Sequence, residues 1–183
     1  MTTSPTTRVA VLVGSLRAES TNRKVAELLR DRAPEGVVLE IVEGLDQVPF
    51  YEEDLDATAT PAAATALREA VGAADAVLLV TPEYNGTMPA VLNNAIDWLS
   101  RPYGAGALVG KPVGVIGTTP TPYGGKWAHA DALRSAGIAG GVALEDAVVS
   151  QSILEVDPLS DVEVLERFLA AVDALVTYQP TAA

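Results

Sequence analysis

The sequence predicts an α/β fold in which helices cover both faces of a five-stranded parallel sheet. Short apolar runs without polar alternation recur, as in Val9–Val13 and Ala76–Val80, and such runs are typical of strands buried on both faces. Segments with apolar residues at helical spacing separate the runs, and turns rich in glycine and proline follow several of them. This alternation favours parallel strands joined by right-handed crossovers.

The elements follow one another in strict alternation. In chain order we predict a strand over 9–13, a helix from Ser20 or Thr21 to about 33, a strand over 37–42, a helix over 61–73, a strand over 76–80, a helix over 89–100, a strand over 111–117, a helix over 127–136, a strand over 142–149 and a helix over 159–178. Five parallel strands in this order fit a doubly wound, flavodoxin-like sheet with strand order 2-1-3-4-5. Residues 1–7 are expected to be a disordered lead-in, and 8–179 a single domain.

Residues 43–60 are predicted to be a long acidic connection without secondary structure. A connection of this length in a compact domain is often functional, and the alternative is a solvated loop. The aromatic pair Phe50-Tyr51 lies inside this acidic setting and indicates that part of the connection packs against another surface.

The composition excludes several kinds of site. The chain has no cysteine, which excludes disulfides, thiolate nucleophiles, zinc–thiolate sites and iron–sulfur clusters, and we predict no metal site. The formal net charge of -12 is expected to repel nucleic acid and anionic membranes. No apolar stretch resembles a signal peptide or approaches the roughly 18 residues of a membrane helix. We therefore expect a cytoplasmic protein without a nucleic-acid or membrane partner.

The loop after the first strand has the composition of a phosphate site. Between Gly14 and the next helix it contains donor side chains, namely Ser15, Arg17, Ser20, Thr21 and Asn22. Backbone N–H groups at a helix N-terminus favour an anion, and an arginine and hydroxyl groups complete a phosphate cradle. The spacing matches neither the dinucleotide motif nor the lysine-bearing P-loop, which argues against nucleotide triphosphate hydrolysis. The alternative is ordinary capping by Ser20 or Thr21 beside an exposed Arg17.

The loop after the third strand is predicted to form the wall of a ligand site. It contains turn-forming residues and one flat side chain, namely Pro82, Glu83, Tyr84, Asn85 and Gly86. Turns of this kind leave backbone N–H and C=O groups pointing outward, which suits a planar heterocycle with a hydrogen-bonding edge. The alternative is a plain connection between a strand and a helix.

The loop over 118–126, after the fourth strand, is predicted to complete the site. Thr118 and Thr119 supply hydroxyl groups, and Gly124 and Gly125 allow the backbone to approach a ligand closely. The alternative is a flexible surface loop. Because strands 1, 3 and 4 are neighbours in the predicted sheet, all three loops open on one edge. A phosphate pocket beside a planar, amide-lined wall indicates flavin mononucleotide (FMN).

Three motifs carry a resemblance to a known family. They are Gly14-Ser15-x-Arg17-x-x-Ser20-x-Asn22, Thr81-Pro82-Glu83-Tyr84-Asn85 and Asn93-x-x-Ala-x-Asp97-Trp98-Leu99-Ser100-Arg101. Together they resemble the NAD(P)H-dependent FMN reductases, which include flavin, quinone, azo-dye and chromate reductases. One departure is Thr118-Thr-Pro-Thr-Pro122, where many relatives carry Ser-Pro-Gly or Ser-Met-Gly.

The resemblance implies roles for these residues. Ser15, Arg17, Ser20 and Asn22 would hold the FMN phosphate, 82–85 would line the isoalloxazine, and Thr118 with the Gly124-Gly125 loop would border it. It also implies a homodimer or homotetramer formed through the helix after the second loop. The acidic segment 49–54 would reach the partner subunit near the flavin.

The predicted activity is hydride transfer from NADPH or NADH to FMN and on to a quinone, free flavin or related acceptor. The cofactor carries this chemistry, so no side chain is predicted to be catalytic. The alternative is a flavodoxin-like FMN electron carrier or an accessory flavin-binding protein, and the acidic surface would suit a basic redox partner. We interpret His129, the only histidine, as an incidental surface or interface residue, and Trp98 as a packing residue.

Overall fold

The computed structural model describes residues 6–154 and 156–180. Five strands and six helices lie within these ranges: β1 (Thr7–Val13), α1 (Thr21–Asp31), β2 (Val37–Ile41), α2 (Glu53–Ala59), α3 (Ala62–Gly72), β3 (Ala76–Val80), α4 (Ala90–Leu99), β4 (Pro112–Thr119), α5 (Lys126–Ile138), β5 (Val142–Ser152) and α6 (Val162–Thr177). A single 3-10 turn over Leu45–Gln47 precedes α2.

The strands form one parallel sheet in the order β2-β1-β3-β4-β5, which confirms the predicted architecture. Side chains on β1 alternate between two cores, with Val9 and Val11 on one face and Leu12 on the other. Helices α1 and α6 cover the first face, and α3, α4 and α5 cover the second. Because both faces are covered, the central strands are apolar throughout, as the sequence pattern indicated.

Some predicted boundaries are wrong. Thr7 is the first residue of β1 and not part of a disordered lead-in, and residues 1–5 lie outside the described part of the chain. Strand β4 continues through Thr119, so Thr118 and Thr119 end a strand instead of beginning a loop. The longer β4 pairs with β5 as far as Ser152, and this pairing holds both strands extended.

The prediction that 43–60 lacks secondary structure is also wrong, because α2 lies within it. The Glu52 carboxylate caps this helix and accepts hydrogen bonds from the N–H groups of Asp54 and Leu55 at 2.9 and 2.8 Å. Acidic residues in the first turn of α2 face the positive end of the helix dipole, which stabilises so short a helix.

Trp98 on α4 anchors this connection to the domain, which confirms its predicted packing role. Its indole N–H donates to the Pro49 carbonyl at 2.7 Å, and the Tyr51 ring packs edge-on against it with 5.0 Å between centroids. The Arg68 guanidinium lies 5.2 Å from the Trp98 ring centroid and bonds both oxygens of Asp56 at 2.7 Å. Tyr51 therefore packs as predicted, whereas Phe50 is exposed.

Candidate active site

The loops after β1, β3 and β4 leave the sheet side by side, because these strands are neighbours. The Gly14 N–H donates to the Val80 carbonyl at 2.8 Å, which brings the end of β1 against the end of β3. A Cβ atom at Gly14 would lie 2.7 Å from the Thr81 hydroxyl oxygen. Only glycine fits there, and the first two loops therefore begin in contact.

Most N–H groups of the loop over 14–20 have no hydrogen-bond partner in the described part of the chain. The backbone N–H groups of residues 15–19 donate to no group that the structure describes. Ser15 is half-buried, and the Arg17 side chain is exposed at the same loop. Ser20 is the N-cap of α1 and accepts from the Arg23 N–H at 3.2 Å, while Thr21 is the first residue of the helix. Capping by Ser20 therefore leaves the loop N–H groups available for an anion.

The Asn22 side chain has a partner that the sequence did not indicate. Its amide nitrogen donates to the Thr118 carbonyl at 3.0 Å, and its amide oxygen accepts from the Thr118 N–H at 2.8 Å. Both polar groups of this buried side chain are therefore used on the backbone of β4. What Asn22 retains for a phosphate is its backbone N–H in the first turn of α1.

The second loop contains a tight hairpin turn. The N–H of Tyr84 bonds the Thr87 carbonyl at 2.9 Å, and the N–H of Thr87 bonds the Tyr84 carbonyl at 3.1 Å. Asn85 and Gly86 between them have φ of 55° and 76°, as in the type I′ turn that Asn-Gly favours. Their N–H groups donate to no described group, and the Tyr84 ring is 46 % exposed beside them. The turn therefore presents two free donors and a flat ring.

Glu83 links the second loop to α5. Its carboxylate accepts from the N–H groups of Trp127 and Ala128, both at 3.1 Å. Helix α5 has Gly125 at its N-cap and no capping side chain of its own, so Glu83 supplies the cap from a distant loop. The sequence pattern predicts Glu83 as part of the wall but carries no local signal for this contact with α5.

The two glycines of the third loop bring it against protein, whereas we expected them to admit a ligand. A Cβ atom at Gly124 would lie 2.9 Å from the backbone nitrogen of Gln151 on β5. At Gly125 it would lie 3.0 Å from the Thr119 side chain and 3.1 Å from the His129 ring. Both glycines also have positive φ and are buried, so the turn into α5 requires them for packing.

The Thr118 hydroxyl is buried at the carboxyl end of β4 without a hydrogen-bond partner among the described residues. The residue is only 3 % exposed. Buried hydroxyls are rarely left unpaired, so this one is a candidate for a hydrogen bond to a group outside the protein. Polar atoms of FMN would provide that partner, so this hydroxyl, the free N–H groups of residues 15–19 and Arg17 fit the cofactor.

His129 is fully buried, so its interpretation as a surface or interface residue is wrong. Its Nδ1 lies 2.7 Å from the Ser150 hydroxyl oxygen, and its Nε2 lies 3.0 Å from the Thr81 carbonyl oxygen. Burial lowers the pKa of the His129 imidazole, and the Thr81 carbonyl and the Glu83 carboxylate offset part of that change. The sequence showed only a single histidine on a predicted helix, and the pattern there did not distinguish a buried face from an exposed one.

The family follows from a comparison with known proteins. The sequence profile described as NADPH-dependent FMN reductase matches residues 7–154, a range that contains all three loops. The chain belongs to this family. Within the described ranges, no group of three or more His, Asp or Glu side chains is arranged to hold a metal ion.

Two relatives of this family are quinone reductases by name. One from Pseudomonas putida is 51 % identical over 117 residues, which are 64 % of this chain and 62 % of that protein. A 2-hydroxy-1,4-benzoquinone reductase from Burkholderia sp. is 43 % identical over 112 residues, 61 % of this chain and 60 % of that protein. The aligned region thus spans slightly less than two thirds of either relative.

A solved structure covers more of the fold. FerB, a flavoenzyme NAD(P)H:(acceptor) oxidoreductase from Paracoccus denitrificans, superposes with a TM-score of 0.74 and is 34 % identical. The match covers 93 % of this chain and 95 % of that chain. In the part of the chain that the structure describes, no helix has both the length and the apolar character of a membrane span.

Proposed function

We propose that the chain is an FMN-dependent NAD(P)H oxidoreductase that transfers a hydride from NADPH or NADH to bound FMN and on to a quinone, free flavin or related acceptor. The observation that carries the proposal is the cluster of donors at the carboxyl edge of the sheet that have no partner among the described residues. The free N–H groups of residues 15–19, Arg17 and the Thr118 hydroxyl all lie at that edge. Family membership and the reductases among the relatives support it.

The loops would bind different parts of FMN. Ser15, Arg17, Ser20, Thr21 and the backbone of Asn22 would bind the phosphate at the N-terminus of α1. The stretch 82–86 would form the wall beside the ring system, and Thr118 and the Gly124-Gly125 loop would border it. When bound, FMN supplies hydride-transfer chemistry that no side chain of this protein supplies.

The charge at this edge suits an anionic co-substrate. Within residues 6–154 and 156–180, neither Arg17 nor Lys126 forms an ion pair with a carboxylate. The Lys126 ammonium lies over the exposed rings of Tyr123 and Trp127, 5.2 and 4.9 Å from their centroids. In a chain with a net charge of -12, these two cations make the edge locally favourable for NAD(P)H.

Anaerobic reduction tests the proposal. The purified chain, loaded with FMN, is mixed with NADPH or NADH in a stopped-flow instrument, and loss of the visible flavin absorbance is followed. We expect rapid bleaching with at least one nicotinamide, and reoxidation by quinones from an acceptor panel. An FMN-loaded protein that neither nicotinamide reduces would instead favour the electron carrier, and failure to bind FMN would exclude both.

We also propose that the protein assembles as a homodimer or homotetramer through the outer face of α4 and α5. Ile138 is 74 % exposed and Tyr103 is 90 % exposed on this face, around a cavity of about 620 Å³. Phe50, 79 % exposed, projects from the acidic segment 49–54 and would contact the partner subunit. Sedimentation velocity tests this assembly. The wild type should sediment as an oligomer, and the Ile138→Asp variant should sediment as a smaller species.

The proposed partners are otherwise small molecules. A quinone or free flavin would be the acceptor, in keeping with the names of the relatives. We propose a cytoplasmic enzyme, because the NAD(P)H that it would consume is supplied there. The net charge of -12 gives no reason to propose a nucleic-acid partner.

A further inference from the structure

The ladder between β3 and β4 stops one hydrogen bond early. Its last bond joins the Thr81 N–H to the Ile116 carbonyl at 3.0 Å, so the next bond of a parallel ladder would join the Thr118 N–H to the Thr81 carbonyl. That bond is absent. The Thr118 N–H donates to the Asn22 amide oxygen at 2.8 Å, and the Thr81 carbonyl accepts from His129 Nε2. Two side chains therefore satisfy the two halves of one missing ladder bond.

The His129 ring reaches Thr81 by crossing β4 at a glycine. A Cβ atom at Gly117 would lie 2.7 Å from His129 Nε2 and 2.0 Å from the Thr81 carbonyl oxygen. On its other side the ring contacts the Ser150 hydroxyl on β5 at 2.7 Å. Because a carbonyl oxygen only accepts, Nε2 carries the proton, and in the neutral ring Nδ1 accepts from the Ser150 O–H.

Other groups in the first turns of α5 also bind the loop after β3. The N–H groups at the start of the helix hold the Glu83 carboxylate, and Asp131 accepts a hydrogen bond from the Thr87 hydroxyl. The loop after β3 is thus attached to α5 at its beginning, middle and end, through Thr81, Glu83 and Thr87. Of these attachments the His129 contact is the one buried completely.

We propose that His129 and Asn22 are positioning residues that hold the carboxyl ends of β3 and β4 apart. With their bonds in place, the Thr81–Thr87 loop and Thr118 remain separate walls of the site. Without the His129 donor, the Thr81 carbonyl is free to take the Thr118 N–H and extend the ladder across the gap. The consequence for FMN rests on the proposed function, but the separation of the strands does not.

Two amide variants of His129 provide a matched test. The side-chain nitrogen of glutamine extends about as far as Nε2, so His129→Gln keeps a donor for the Thr81 carbonyl. His129→Asn carries the same amide but is one methylene shorter and does not reach it. Ser150→Ala serves as the control, since it removes the other contact of the ring and leaves the Nε2 donor in place.

FMN affinity and amide hydrogen exchange are the readouts. We expect His129→Asn to weaken FMN binding about tenfold, because the new ladder bond between the Thr118 N–H and the Thr81 carbonyl must break before FMN can bind between the two walls. His129→Gln and Ser150→Ala should stay within about threefold of wild type. In the FMN-free protein, amides of 83–87 should exchange faster in His129→Asn than in His129→Gln. Equal behaviour of the two amide variants in both measurements would overturn the proposal.

One measurement needs no variant. Nitrogen NMR of the wild-type imidazole should show a neutral ring protonated at Nε2, with slow exchange of that proton, and protonation at Nδ1 instead would overturn the proposal even if His129→Asn failed to fold. If wild type binds no FMN, the proposed function fails, and the exchange of the loop amides still decides the positioning role.

Discussion

Replacing Thr118 by valine should raise the free energy of unfolding of the FMN-free protein and lower its affinity for FMN. The hydroxyl of Thr118 is buried and has no partner among the described residues, and valine keeps its shape and branching. An unpaired buried hydroxyl costs about 1–3 kcal/mol, so its removal should raise the free energy of unfolding of the FMN-free protein by about 1 kcal/mol. The contacts with Asn22 should survive, because they use only the backbone of Thr118.

FMN affinity should fall in the same variant. If the cofactor supplies the missing partner, the hydrogen bond formed on binding contributes about 0.5–1.5 kcal/mol. The dissociation constant of FMN should then be roughly 2- to 12-fold higher in the valine variant. Urea denaturation of the FMN-free protein gives the first quantity, and titration of flavin fluorescence gives the second.

Thr119→Val is the matched control. The neighbouring Thr119 is equally buried, but its hydroxyl is paired with that of Thr121 at 2.9 Å. Its replacement should lower the free energy of unfolding by about 1 kcal/mol and leave FMN affinity unchanged. A Thr118→Val protein that is less stable than wild type, or that binds FMN as tightly, would refute this account of the orphan hydroxyl.

Three further outcomes are expected. Arg17→Ala should weaken FMN binding about tenfold or more in a salt-dependent manner, while the free energy of unfolding stays within about 0.5 kcal/mol of wild type. Arg32 is also exposed, and Arg32→Ala should leave the FMN affinity measured by flavin fluorescence unchanged. Arg68→Met should lower the free energy of unfolding in urea by about 1–3 kcal/mol, because it leaves Asp56 without its bidentate partner, and a smaller loss would contradict the role of that pair. Since the folded state disfavours protonation of His129, wild type should lose stability relative to His129→Gln as pH falls below about 6.5, by at most about 1.4 kcal/mol per pH unit, and parallel pH profiles would argue against this.

Much of the fold was predictable because burial on both faces of a sheet leaves a local mark. Runs such as Ala76–Val80 are uniformly apolar, and helices lie between them as predicted, so the alternation favours a parallel sheet covered on both faces. The turn at Asn85-Gly86 was also predictable from local sequence, because positive φ at two successive positions limits the residues that fit.

Short, tertiary-dependent elements were not predictable in this way. Helix α2 has no buried residue and depends on its Glu52 cap and on the packing of Tyr51 and Asp56 against α3 and α4. A helix of this length has too few internal hydrogen bonds to be stable alone. Because none of its residues is buried, no apolar stripe marks it in the sequence.

The sequence by itself determined the parallel sheet, the edge at which its loops meet and the donors of the first loop, because each depends on residues adjacent in the chain. Only the tertiary structure decided that Asn22 binds Thr118, that Glu83 caps α5 and that His129 holds the Thr81 carbonyl. These partners are 96, 44 and 48 residues apart. A polar side chain buried at the end of a strand takes whichever backbone group the fold leaves unpaired there, and that group is known only once β3 and β4 have separated.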